Sequence, residues 1–293
     1  MKYASVSIAK PGQQQINEDA AIAEVGRIAV SDGAGGGGVY ADKWAQYLLK
    51  NLPKEPITSF RQLDGWIDSI WETFYKEYEQ VAKGAGSVVL NKFYEEGSFA
   101  TLAAAWVTDE GLWKWMTYGD SVVFHYSRRT GELRHSPIHL VDFNNPPYLI
   151  SLNDKLVESV FNAGEWQTDA DDILFCASDA LSHYIIMVYE LSRGDEFKDE
   201  ISEALRAGTK NAALIVRAAI DYGKGKDFYV EVMQKLVEYM DSETSFRDYM
   251  EDKLKGRLLS LDDYSYAMID LSQGESSSSS SATPQTGTDN HTD

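Results

Sequence analysis

The chain is poor in cysteine and in positive charge, and it lacks any long apolar run. Its 293 residues include a single cysteine, Cys176, which excludes an internal disulfide and a cysteine-built zinc centre. Cys176 lies within Ile173-Leu174-Phe175-Cys176-Ala177, where a small buried apolar side chain is the expected role. Lys and Arg total 27 against 46 Asp and Glu, for a formal net charge of −19. Binding to phosphate backbones needs a basic surface, so nucleic acid is not an expected partner. An anionic membrane surface is disfavoured for the same reason. No stretch of about 18 apolar residues occurs, so no membrane span is expected. Polar residues from Lys10 to Asp19 come too early for a signal-peptide pattern. A soluble, cytoplasmic protein is the expectation.

Apolar residues make up 43% of the chain and aromatics 12%, enough for one large domain or two small ones. The stretch Ile28-Ala29-Val30-Ser31-Asp32-Gly33-Ala34-Gly35-Gly36-Gly37-Gly38 is the organising feature. Apolar β-formers run into an acid and then a glycine tract, which reads as a buried strand ending in Asp32. Glycines there let a backbone approach a ligand closely. A carboxylate beside backbone carbonyls suits a hard cation. Alone, the stretch is more simply a glycine-rich turn containing an acid.

Neighbouring segments supply further acids. Ala20 to Val25 reads as a strand preceded by Asn17-Glu18-Asp19, and Gly26-Arg27 turns it into the Ile28 strand. A tight antiparallel hairpin sets its two open ends side by side, so Glu18, Asp19 and Asp32 can converge. Later, Ile173 to Ala177 runs into Ser178-Asp179, repeating the strand-to-Ser-Asp pattern, and Asp262-Asp263 opens a last strand from Tyr264 to Leu271. Helices are expected at Tyr40 to Asn51 and Thr58 to Lys83. In the second, Phe60, Leu63, Trp66, Ile67, Ile70, Trp71, Phe74 and Tyr78 recur at three-to-four spacing and read as a core stripe. Gly97 to Val107 reads as one strand of small residues, and Gly119-Asp120-Ser121 as a turn between strands. Asn144 to Tyr148 reads as an exposed loop. Leu181 to Leu254 is helix-rich, with apolar helical spacing at Leu205 to Ile220 and Phe228 to Met240. The serine-rich tail from Ser272 cannot bury a core and is expected to be disordered.

The order of these pieces resembles the metal-dependent, type 2C serine/threonine protein phosphatase family. Asn17-Glu18-Asp19 is similar to its first acidic motif, and Asp32-Gly33-Ala34-Gly35-Gly36 to its Asp-Gly-x-Gly-Gly motif. Gly97-Ser98-Phe99-Ala100 resembles Gly-Ser-Thr-Ala, with Phe99 in place of threonine. Gly119-Asp120-Ser121 matches Gly-Asp-Ser, and Cys176-Ala177-Ser178-Asp179 resembles the Cys-Ser-Asp-Gly strand end. Asp262-Asp263-Tyr264-Ser265 stands where the family has Asp-Asn-x-Thr. The resemblance covers residues 1–271, with 181–260 as a helix-rich insertion and 272–293 as the tail. It implies an α+β fold, a four-layer α-β-β-α sandwich of two central antiparallel sheets with helices on both outer faces. The hairpins and flanking helices agree with that reading.

The resemblance also implies a phosphoserine/phosphothreonine phosphatase acting on a phosphorylated protein substrate. Two divalent metals, Mn²⁺ or Mg²⁺, would activate a bridging water. Metals would also resolve the charge conflict between an acidic protein and a phosphorylated substrate. Asp32, Asp179 and Asp262 would be catalytic, with Asp32 bridging the metals. The carbonyl of Gly33, with Glu18 and Asp19 acting mostly through water, would serve one ion. Asp179 and Asp262 would serve the other, and Asp120 would serve a weaker third. The sequence departs from the family in the surrounding shell. Gln14 stands where an arginine holds the substrate phosphate, and glutamine lacks the charged bidentate fork. Lys10 or Arg27 is the candidate to compensate. Ala180 replaces a glycine, Val122 an arginine, and His183 a third-metal aspartate, which leaves His183 to read as a helix-surface residue. These departures support an alternative, a catalytically weak or inactive relative that binds a partner.

Overall fold

The computed structural model describes residues 1–12, 16–36, 38–109 and 111–272. In chain order it runs β1 (Lys2–Ile8), β2 (Ala20–Glu24), β3 (Arg27–Ser31), α1 (Ala41–Lys50), α2 (Phe60–Ala85), α3 (Ser87–Glu95), β4 (Phe99–Ala100), β5 (Leu102–Asp109), β6 (Leu112–Tyr118), β7 (Val122–Ser127) and β8 (Glu132–His135). Then follow β9 (Ile150–Ser151), β10 (Phe161–Gln167), β11 (Ile173–Ala177), α4 (Asp179–Ser192), α5 (Lys198–Arg206), α6 (Asn211–Gly223), α7 (Gln234–Glu238), α8 (Glu243–Lys255) and β12 (Tyr264–Asp270).

Two five-stranded antiparallel sheets form the centre. One has the order β1-β12-β11-β7-β8 and the other β10-β6-β5-β3-β2. Alternation along the strands explains the layers, because successive side chains leave opposite faces of a sheet. Ile28, Val30, Ala103, Ala105, Leu174, Cys176, Ala267 and Ile269 meet between the sheets. Their neighbours turn outward. Ala29, Leu102, Ala104 and Trp106 pack against α1 and α2 through Trp44, Leu63 and Phe74. Phe124, Phe175, Tyr266 and Met268 pack against α4, α6 and α8 through Tyr184, Val216 and Phe246. Central strands such as β5 and β11 are apolar on both faces because both faces are covered, giving the expected α-β-β-α order. Each large side chain so buried contributes about 1.5–3 kcal/mol. Cys176 is free and fully buried, as its apolar setting implied.

Several elements differ from the sequence expectation. The Gly97 to Val107 strand splits at Thr101, whose N–H and hydroxyl turn to Asp32. The detached piece, β4, pairs with β9 instead. Leu205 to Ile220 is not one helix, because Gly208 takes a left-handed φ of 72° and separates α5 from α6. Phe228 to Met240 begins as a π-helical turn at Tyr229–Met233 before the short α7. Helix α3, between a glycine and β4, had no counterpart in the sequence reading.

Candidate active site

Strand register brings distant acids to one end of the sandwich. In the β2–β3 hairpin Ala20 pairs with Ser31, so Asp19 and Asp32 sit at the same open end. In the other sheet Ala177 pairs with Val122 and with Tyr266, and Ile8 pairs with Tyr264. Asp179 just after β11, Asp120 just before β7 and Asp262 just before β12 therefore share that end. Asp19 is buried, while Glu18, Asp32, Asp120, Asp179 and Asp262 are half-buried and still reachable from solvent.

Electrostatics record how close these carboxyls lie. Burial pushes Asp19 up to about 8, with Asp179 and Asp263 adding to the rise and the Ser265 and Ser178 hydroxyls opposing it. Asp32 is raised well above the carboxylate range, first by burial and then by Asp19, Asp179, Asp120 and Asp262. Asp120 is raised by burial, then by Asp179, Asp262 and Asp19. Asp179 rises to about 6 through burial and Asp262, held back by the Ala180 N–H and a hydrogen bond with Asp32. Burial also raises Asp262 and Glu18, and Lys10 works against the rise in both. Five aspartates thus repel one another inside low-dielectric surroundings.

Local contacts fix this end. Thr101 ties β3 to the Gly-Asp-Ser turn: its N–H donates to the Asp32 carbonyl at 2.8 Å, its Oγ1 accepts the Asp32 N–H at 3.1 Å, and Oγ1 lies 2.6 Å from Ser121 Oγ. Asp263 is buried and accepts the Lys10 and Glu18 amides. The glycines are needed for space. A Cβ at Gly33 would stand 2.5 Å from the Glu18 carbonyl oxygen, and one at Gly35 would stand 1.9 Å from Glu18 Oε1.

Not every expected residue joins the cluster. Gln14 lies outside the described residues. Arg27 sits at the opposite, closed end of its hairpin, paired with Glu24 at 2.6 Å and bonded to the Leu52 carbonyl. That removes it as a phosphate ligand and leaves Lys10, the cation beside Glu18 and Asp262. His183 is not a surface residue. It is 3% exposed, its ring meets Phe143 edge-on at 5.1 Å, and burial pushes it down to about 4. Thr101 belongs to no motif that marks it in the sequence. The only hint of its role was its place directly after Gly-Ser-Phe-Ala. Asp263 stands out in the sequence only as the neighbour of Asp262.

The residues at this end fit divalent cations. The buried Asp19 Oδ2 has no hydrogen-bond partner among the described residues, and hard cations take such oxygens. The missing Cβ atoms leave room at Gly33 for the Glu18 carbonyl and at Gly35 for the Glu18 carboxylate, both oxygen donors of the kind such cations take. Among the described residues, no three Asp, Glu, His or Cys side chains already stand as a finished metal cage. The carboxyls crowd one another without that final convergence.

No family model and no curated protein matches this chain. Solved structures do. The catalytic domain of the serine/threonine protein phosphatase PstP, solved in complex with two manganese ions, matches at a TM-score of 0.53 and 18% identity. The match covers 92% of this chain and 97% of that one. The Mycobacterium tuberculosis serine/threonine phosphatase PstP/Ppp matches at 0.52 and 18%, covering 93% of this chain and 99% of that one. At that identity the likeness carries architecture. By its sheets, layers and these matches, the chain has the fold of the type 2C serine/threonine phosphatases.

Proposed function

We propose that the chain is a metal-dependent phosphatase of phosphoserine and phosphothreonine in proteins. The observation that carries the reading is the meeting of Asp19, Asp32, Asp120, Asp179 and Asp262 at one end of the sandwich, each raised by burial and by carboxylate neighbours. Such a set is poorly stable as bare anions and well suited to divalent cations. Asp32, Asp179 and Asp262 would hold the ions, with Glu18, Asp19 and the Gly33 carbonyl on one flank and Asp120 on the other. When bound, Mn²⁺ or Mg²⁺ would lower the pKa of a water to give a nucleophile and offset the charge of a phosphate ester. Thr101 keeps Asp32 and the Asp120 turn in register. Asp263 fixes the segment carrying Glu18. Lys10 supplies positive charge where the family's phosphate-binding arginine is replaced by Gln14.

A second reading is a catalytically weak relative that binds rather than hydrolyses. It is favoured by His183, which points to Phe143 where the family has a metal-binding aspartate. Manganese titration by calorimetry and hydrolysis of an aryl phosphate and of phosphopeptides decide between the two. The first reading expects Mn²⁺ binding and Mn²⁺-stimulated hydrolysis, both lost in Asp32→Asn. Binding without hydrolysis leaves the second reading, and absence of Mn²⁺ binding removes the metal reading altogether.

A further inference from the structure

Helix α2 has two faces. One carries Leu63, Ile67 and Phe74 into the core. Trp71 belongs to the same stripe by spacing but is 36% exposed, packed edge-on against Tyr75 at 5.9 Å. Beside it runs a groove of about 700 Å³, walled by α2 and by Ser151–Leu156. Its floor is apolar, from Ile67, Leu152, Trp71 and Tyr75. Its rim is acidic. Glu72 and Glu79 are held by Lys76 and Lys83, and Lys155 stands next to Asp154 on the opposite wall, which leaves Asp64 and Asp68 on α2 as the acids with no basic partner among the described residues. From Asp64 to Glu79 the face runs about four turns, or ~22 Å, the length of roughly six or seven extended residues.

We propose that this groove is a docking surface for an extended basic segment of a partner protein. Its Lys or Arg side chains would lie along Asp64 and Asp68, and an apolar side chain would rest on Trp71. An exposed tryptophan in an apolar floor is the kind of anchor that dominates binding energy, and the unpaired Asp64 and Asp68 along the α2 wall select positive charge. The chain itself is a poor occupant. Residues 273–293 contain no Lys or Arg, and a second copy brings another −19 of net charge. The groove lies on the outer helical layer and does not depend on phosphate hydrolysis.

The test is fluorescence anisotropy with a labelled, unphosphorylated peptide of about ten residues, rich in arginine around a central Leu-Phe, at physiological salt. Saturable binding is expected. Asp64→Lys with Asp68→Lys weakens it about tenfold, as does Trp71→Ala. Asp248→Lys with Asp252→Lys makes the same change in net charge on α8, in the other outer layer, where both side chains are exposed. That pair leaves binding within about twofold. Equal loss from the two charge-reversed pairs would show diffuse attraction to an acidic protein and overturn the proposal. So would full binding by Trp71→Ala, or no saturable binding.

Discussion

One carboxylate oxygen of Asp263 accepts the backbone N–H of Glu18 at 2.7 Å, while the other accepts that of Lys10 at 2.8 Å. A residue at the mouth of β12 thereby clamps both ends of the segment that leads into β2. Hydrogen bonds to a charged group contribute about 1.5–3 kcal/mol each. Asp263→Ala loses both, while relieving the repulsion that Asp263 exerts on Asp19, Asp179 and Asp262. The two hydrogen bonds act at contact and the repulsion over longer distances, so the relief offsets part of their loss and a net loss of about 2 kcal/mol is expected. Urea unfolding measures it. Asp263→Asn keeps one carbonyl acceptor and should lose about half as much. Wild-type stability in Asp263→Ala would mean that the clamp contributes nothing.

Gly35 offers a sharper test of how Glu18 is held. An added Cβ falls 1.9 Å from Glu18 Oε1, and the obstacle is the far end of a flexible side chain. The fold can therefore accept Gly35→Ala, while the carboxylate has to leave its place. The unfolding free energy should move by less than about 1 kcal/mol. Manganese affinity should fall about 10- to 100-fold, as when the support of a metal ligand is removed. Calorimetry and urea unfolding on the same preparation read both. Unchanged affinity would place Glu18 outside the metal shell.

These two residues show what the sequence could and could not disclose. Asp19 and Asp32 were legible because a tight turn separates their strands, and hairpin geometry alone sets their ends together. The layers were legible through the family resemblance, with the hairpins and flanking helices in agreement, and central strands such as β5 and β11 account for them by being apolar on both faces. The bond from Glu18 to Asp263 joins residues 245 apart, and no local pattern announces it. The same holds for Thr101, whose hydroxyl abandons the strand to bind Asp32 and Ser121. Trp71 followed the helical period of its stripe but stands beyond the edge of the surface that covers the others. His183 misled because a polar residue near a helix start suggests solvent, whereas α4 is covered along nearly its whole length.

On the proposed metal-dependent reading, His183 tests whether a carboxylate at its position can join the acid cluster. Its Nε2 has no hydrogen-bond partner among the described residues, and its ring packs on Phe143. His183→Asp would place a carboxylate in that apolar contact. An unpaired buried charge is costly, so a loss of about 2–4 kcal/mol is expected, with no gain in manganese-stimulated rate. His183→Leu removes the unpaired nitrogen at similar volume and should be within about 1 kcal/mol of wild type. A higher rate in His183→Asp would show that this position does reach the acids.

Glu190, later in α4, sets a pH dependence unconnected with the acid cluster. It is 4% exposed, and its Oε2 has no hydrogen-bond partner among the described residues. Burial, helped by the charge of Glu200, pushes it up to about 8 from 4.5. Arg193 does not neutralise it, since that guanidinium binds the Gly131 carbonyl and faces Glu196. The folded state therefore keeps the proton while the unfolded chain releases it above about 4.5. The unfolded state then binds fewer protons, so stability present at low pH is lost as pH rises toward 8. Glutamine has the same shape and no charge to lose. Glu190→Gln should therefore match wild type at pH 5 and unfold at a higher temperature at pH 8, by an amount equivalent to roughly 1–3 kcal/mol. Thermal unfolding at the two pH values measures the difference. An equal shift at both would assign the effect to packing, and the absence of any shift would mean that Glu190 ionises in the folded protein without penalty.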